Sequence, residues 1–166
     1  MRCYDTFESP IGGMLLAASE DGISGVYFDR QKHHPKRAAD WKHDPQNVHL
    51  KRAKRQLAEY FAGKRKTFDL ALDPRGTSFQ KAVWKAIAGV SFGNTISYGE
   101  LARRAGVPGS ARAAGAATGR NPIGIIVPCH RIVGSNGALT GYAGGLSRKR
   151  ALLALEGAGR ELRSAA

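Results

Sequence analysis

Ile125-Ile126-Val127-Pro128-Cys129-His130-Arg131-Ile132-Val133 is the stretch around which the rest of the chain organises itself. A thiol and an imidazole are adjacent, flanked by a rigid proline and a cation. The apolar run Ile125–Val127 predicts a buried strand, and Ile132 through Gly137 predicts a short strand entering a turn. The end of a strand is a rigid support on which to present a reactive side chain. The nucleophilic form of cysteine is the thiolate, which a nearby base or cation favours. Most lone cysteines are small buried hydrophobes, but the proline, histidine and arginine around Cys129 point to a nucleophile.

Outward from this stretch, composition narrows the class. Cys3 and Cys129 are the only cysteines in 166 residues. Two thiols build no disulfide framework, and neither has the CxxC spacing of a zinc site. A reduced, cytoplasmic setting is expected. No run approaches the roughly 20 apolar residues that span a bilayer, so no membrane partner is expected. The net charge is +13 and unevenly spread: residues 1–75 hold 14 basic and 10 acidic residues, residues 76–166 hold 12 and 3. The second half has almost no compensating acid, which points to a polyanion, most naturally nucleic acid.

The first segment predicts a small antiparallel sheet from Cys3–Phe7, Met14–Ala18 and Ile23–Phe28, joined at Pro10–Gly13 and Glu20–Gly22. Residues 31–47 have no period and read as a loop. Leu50, Ala53, Leu57 and Phe61 recur at helical spacing up to Gly63. Phe68–Leu72 is a candidate last strand. Two domains are expected, 1–73 and 77–166, in an α/β chain.

The second segment opens with a helix whose apolar face is Phe79, Ala82, Val83, Ala86, Ile87 and Val90, capped by Thr77 or Ser78. Ser97 and Glu100 fit a capping box for a second helix, with Leu101, Ala102 and Ala105 inward. Val107–Ser110 breaks it, and a third helix runs from about Ala111 to Gly119, giving a helix-turn-helix. That third helix is nearly all Ala and Gly. Reading base edges in the major groove needs long polar side chains, and only Arg112 and Arg120 supply them. Small residues suit close approach to a minor groove with little sequence reading, and equally suit tight helix packing. A last helix, about Ser147 to Glu156, is expected to bury Leu152, Leu153 and Leu155.

Glu156 is the only acid between Glu100 and Glu161. Such isolation predicts a specific partner, with His130 the obvious one. Cys129, His130 and Glu156 then read as nucleophile, base and orienter. A cysteine hydrolase or a small-substrate transferase would use the same three groups. The basic half and the helix-turn-helix favour a nucleic-acid substrate over these.

Residues 78–157 closely resemble the O6-alkylguanine-DNA alkyltransferases. The resemblance rests on Ser97-Tyr98-Gly99, Ala111-Arg112-Ala113, Asn121-Pro122, Pro128–Arg131, Gly141–Gly145 and Leu152–Gly157, in the family's order and spacing. Ser9–Gly12 and Tyr60–Gly63 extend it more loosely to the first half. It implies an RNase H-like N-terminal domain that buttresses a mostly helical, winged-helix-like domain with the helix-turn-helix. It implies irreversible transfer of an alkyl group from guanine O6 to Cys129, once per molecule, with no cofactor. A non-repairing relative that only binds lesions would lack the cysteine. His130 would take the thiol proton through a bridging water, held by Glu156. Asn121 would brace the active segment, and Tyr98 would donate to the base. Ile132 and Ala143 would read the guanine edge with backbone groups, while Tyr142 and Gly124 line the pocket. The base must be flipped out of the duplex. Arg112 would fill the gap, with Ala113, Thr118, Tyr98 and Arg131 as further DNA contacts. The expected partner is double-stranded DNA, bound by a monomer. Cooperativity on DNA and activity on O4-alkylthymine stay open.

The chain departs from the animal pattern at Ala143, which replaces serine, and at Gly124, which replaces proline. A roomier pocket is the expected consequence. Some family members bind zinc near the N-terminus. Cys3 has no second cysteine nearby, and His33, His34, His43 and His49 lie in or near the expected loop, so no zinc is expected.

Overall fold

The computed structural model describes residues 2–36, 40–158 and the backbone of 163–164. The chain divides into two compact units: Met1–Arg75 with Pro122–Gly124, and Gly76–Asn121 with Ile125–Ala166.

In the first unit the alternating, β-branched and aromatic segments form β1 (Cys3–Ser9), β2 (Gly12–Ala18) and β3 (Ile23–Phe28). They lie antiparallel in the order β3-β2-β1, and a two-residue β4 (Lys42–His43) adds parallel to β1. The segment read as a loop therefore contributes an edge strand. Phe68–Leu72 forms no strand; only Leu72 makes an isolated bridge, to Ile23. Helix α1 (Val48–Phe61) buries Leu50, Ala53, Leu57 and Tyr60, four positions on one helical face. Its first free amides, on His49 and Leu50, are taken by the side chain of Asn47. Asn47→Ala is expected to cost about 1 kcal/mol of stability. Urea unfolding checks this, and an unchanged midpoint would remove Asn47 as a cap.

In the second unit, α2 (Ser78–Ala88) begins with a reciprocal Thr77–Gln80 capping box. It buries Val83, Trp84 and Ile87, while Phe79 is 37% exposed. The apolar face is thus rotated from the expected one. The cause is Trp84, whose indole N–H donates to the carbonyl of Ala117 at 2.8 Å and turns the helix toward that partner. A two-residue β5 (Ile96–Ser97) precedes α3 (Tyr98–Arg104). Ser97 caps α3 through the Glu100 amide, but the Glu100 carboxylate is taken by Arg103, so the box is only half made. After α3 the amides of Gly106 and Val107 return to the carbonyls of Arg103 and Ala102. This closure needs a left-handed residue, supplied by Gly106 at φ 82°. The chain then reverses into α4 (Ala111–Gly119), completing the helix-turn-helix.

Ile125–Val127 is not a strand. Val127-Pro128-Cys129 is an inverse γ-turn: Pro128 has φ −81° and ψ 66°, and the Cys129 amide donates to the Val127 carbonyl at 2.8 Å. Ile125 itself lies at φ 68°. Proline offers no amide to a ladder, so the apolar run is buried through a turn. A single 3-10 turn, Cys129–Arg131, follows, then β6 (Ile132–Val133) parallel to β5, and β7 (Ala138–Leu139). Helix α5 (Leu146–Leu155) buries Leu152 and Leu153, but Leu155 is 38% exposed. Backbone pairing of β7 with β8 (Arg163–Ser164) ends the described chain.

Candidate active site

The site is built from four segments of the second unit: the start of α3, Asn121 shortly after α4, the 3-10 turn and the end of α5. The 3-10 turn places Cys129, His130 and Arg131 consecutively, all buried. Neighbours on a strand would point to opposite faces; in the turn that constraint is gone.

Glu156 is delivered by the end of α5. The amides of Gly157 and Ala158 fold back onto the carbonyls of Ala154 and Leu153, with Gly157 at φ 76°. This glycine closure follows Glu156, the residue that ends α5, whose buried carboxylate faces His130 and Arg131. Glu156 Oε2 lies 2.8 Å from His130 Nε2. Arg131 approaches the same carboxylate with two donors, Nε at 2.8 Å and Nη2 at 2.9 Å, and gives Nη1 to the Val90 carbonyl at 2.6 Å. A two-point contact of this kind is the strong arginine–carboxylate geometry.

The carboxylate can only accept, so it takes the proton on His130 Nε2 and leaves Nδ1 as the basic nitrogen. Nδ1 is buried with no protein partner among the described residues. Burial pushes the His130 pKa down against the upward pull of Glu156, and the cations Arg131 and Lys149 add to the lowering. A neutral imidazole with a free lone pair is the form a general base needs.

Burial raises the Cys129 pKa, opposed by a hydrogen bond from the Asn121 side chain and by the charge of Lys149. At rest the sulfur is a thiol and needs a base. Asn121 follows α4 and donates Nδ2 to the Val127 carbonyl at 2.8 Å, so one side chain holds both the γ-turn and the sulfur. Tyr98, at the start of α3, is half-buried. Burial raises its pKa, a hydrogen bond with Thr140 lowers it and the Cys129 charge raises it further, so its hydroxyl keeps its proton at neutral pH.

On α4, Arg112 and Ala113 are exposed, while Ala114 and Ala117 are buried. The small residues therefore serve both packing and an open face. Thr118 is buried and donates to the Ala114 carbonyl at 2.7 Å. It caps its own helix and does not reach outward to DNA. Arg131 is likewise corrected from the expected DNA contact: it is 6% exposed, and its donors are spent on Glu156 and Val90. Ile132 is buried, and Tyr142 and Ala143 are half-buried in the turn before α5. Gly124 groups with the first unit, where its amide donates to the Val26 carbonyl at 3.1 Å. A proline there could not make that bond.

Lys149 was not foreseen. It is fully buried, and Nζ donates to the carbonyls of Ile132, Thr140 and Gly141 at 2.6, 2.8 and 3.1 Å. The signal was in the sequence: 149, 152, 153 and 156 share one helical face. The cations on either side of Lys149 masked it. Among the described residues no three His, Cys, Asp or Glu side chains gather as metal ligands would. His43 instead sits 3.1 Å from the buried Asp5. No described helix is long and apolar enough to cross a membrane.

A braced, buried thiol with a histidine–carboxylate pair, carried on a helix-turn-helix unit, defines a cysteine-centred group-transfer protein with a nucleic-acid-binding architecture. Comparison with known proteins makes the class specific. The pattern of the 6-O-methylguanine DNA methyltransferase DNA binding domain matches residues 78–158, and that of the same family's ribonuclease-like domain matches residues 3–74. The methylated-DNA–protein-cysteine methyltransferase of Methanosarcina acetivorans is 49% identical over 154 residues, 93% of this chain and 97% of that protein. The crystal structure of the Mycobacterium tuberculosis O6-methylguanine methyltransferase superposes with a TM-score of 0.86 at 49% identity, covering 95% of this chain and 93% of that one. The same organism's protein solved in complex with DNA gives 0.86 at 47%, covering 95% and 94%. The chain belongs to the methylated-DNA–protein-cysteine methyltransferase family.

Proposed function

We propose that this protein repairs O6-alkylguanine in double-stranded DNA by moving the alkyl group onto Cys129. The observation that carries the reading is His130, next to Cys129 in the 3-10 turn, hydrogen-bonded to a Glu156 carboxylate that Arg131 locks from the same turn. His130 Nδ1 receives the thiol proton through the water relay that the family resemblance implies. The thiolate attacks the alkyl carbon in line, so the S–C bond forms as the C–O6 bond breaks. The electron pair leaves on guanine, whose developing charge the Tyr98 hydroxyl stabilises. The product is a thioether. It has no carbonyl for water to attack, so Cys129 is consumed.

The DNA side of the reading rests on α4 and on charge. Arg112 and Ala113 form the open face of α4. That face approaches the minor groove as a monomer, with little sequence preference, and Arg112 fills the stack when the target base is flipped out. Binding weakens with salt as phosphate neutralisation releases counterions. Arg112→Ala is expected to slow repair of a paired lesion by about tenfold or more, while non-specific affinity changes by less than about threefold, since one phosphate contact is a small part of the total. Rates on duplex and affinities for undamaged duplex check this. Equal losses in both would make Arg112 a phosphate contact only.

A further inference from the structure

Tyr142, Ala143 and Gly144 sit between two glycines in the left-handed region, Gly141 at φ 28° and Gly145 at φ 95°. Glycine takes such backbone freely, and other residues do so at a cost. A side chain built at either glycine would meet nothing within 4 Å among the described residues, so both ends of the turn border open space. The turn closes on itself through the Gly145 amide, which donates to the Tyr142 carbonyl at 2.9 Å. Leu146, the first residue of α5, is 41% exposed and adds no buried apolar anchor. Helix α5 ties the turn at both ends. Lys149 Nζ donates to the Gly141 carbonyl at 3.1 Å, and Arg148 Nη1 donates to the Gly144 carbonyl at 3.2 Å. Gly144 is buried and Arg148 half-buried, so the second bond is sheltered from water. A short segment with glycine hinges and half-buried side chains opens locally at low cost. The Arg148 bond opposes that opening at the end next to Ala143.

We propose that Arg148 is a specificity-determining positioning residue: by tying the Gly144 carbonyl to α5 it sets how far the Tyr142–Gly144 turn swings, and so the size of the alkyl group that reaches Cys129. The inference rests on the proposed function for the place of this turn in the substrate pocket. With the tether made, the turn is a fixed wall and a methyl adduct is held close to the sulfur. With the tether broken, the wall moves outward. A bulky aromatic adduct gains the room it lacks, while a methyl group needs none and loses part of its orientation. The two substrates therefore respond with opposite sign to the same bond.

The test uses the full chain and two duplexes of one sequence, carrying O6-methylguanine or O6-benzylguanine. Arg148→Met keeps much of the stem and removes the donor. It is expected to raise the benzyl-to-methyl ratio of transfer rates by about fivefold, the fold-change of one hydrogen bond. Arg148→Lys keeps a cation and a donor for one carbonyl, and should return the ratio to within about twofold of the parent protein. Amide hydrogen exchange at Gly145, whose bond closes the turn, should quicken by about fivefold in Arg148→Met while α2 stays protected. Arg148→Gln gives the same comparison should Arg148→Met not fold. Equal slowing on both duplexes would make Arg148 a phosphate contact and overturn the specificity role. Unchanged exchange at Gly145 in the folded variant overturns the tether. Failure of the repair reading would show differently, as transfer from neither duplex by the parent protein, with Gly145 exchange still quickened in Arg148→Met.

Discussion

Replacing Glu156 with alanine is expected to destabilise the protein by about 3–5 kcal/mol, the usual cost of removing one partner of a buried ion pair. Glu156 is 5% exposed and receives two bonds from Arg131 and one from His130. Without it the guanidinium is left buried with the Val90 carbonyl and the Phe92 ring and no opposite charge. Urea unfolding of the full chain measures the loss, and a midpoint within error of wild type would contradict the assigned network. Glu156→Gln separates stability from chemistry. The amide keeps one acceptor, so it should fold better than the alanine variant. It leaves His130 without a carboxylate to fix its tautomer, so transfer should still slow by about 10²-fold or more.

Cys129→Ser is expected to reduce alkyl transfer below detection while DNA binding is retained. A serine hydroxyl ionises far less readily than a thiol, and burial already opposes the charged form at this position. Affinity for undamaged duplex is the control. A large loss of affinity in Cys129→Ser would show that the thiol supports the fold of the DNA-binding surface as well as the reaction.

What the sequence made legible follows from how local each signal was. Strands β1, β2 and β3 were readable because alternation and turn residues act over a few positions. So were α3 and α4, with Ser97 opening α3 and Val107–Ser110 separating the two. Cys129, His130 and Glu156 stood out because a thiol–imidazole neighbour and an isolated carboxylate are rare patterns. The strand drawn through Ile125–Val127 failed because an apolar run signals burial and not extension; Pro128 decides the turn. Arg131 and Thr118 were assigned outward because their side chains suit DNA. Only the tertiary placement of Glu156 and the i−4 carbonyl of Ala114 shows that they are spent internally. The rotation of α2 was likewise invisible, since it depends on Trp84 meeting the Ala117 carbonyl 33 residues away. Lys149 needed the helical face to be read through a run of three cations.

The central claim is that Cys129 accepts one alkyl group and is spent. Intact-protein mass spectrometry after incubation with excess duplex carrying O6-methylguanine tests it most directly. The account predicts a gain of one methyl group per molecule, located on Cys129, with restored guanine never exceeding the protein in amount. Repair beyond one equivalent, or a mass that does not change while the lesion disappears, would contradict it.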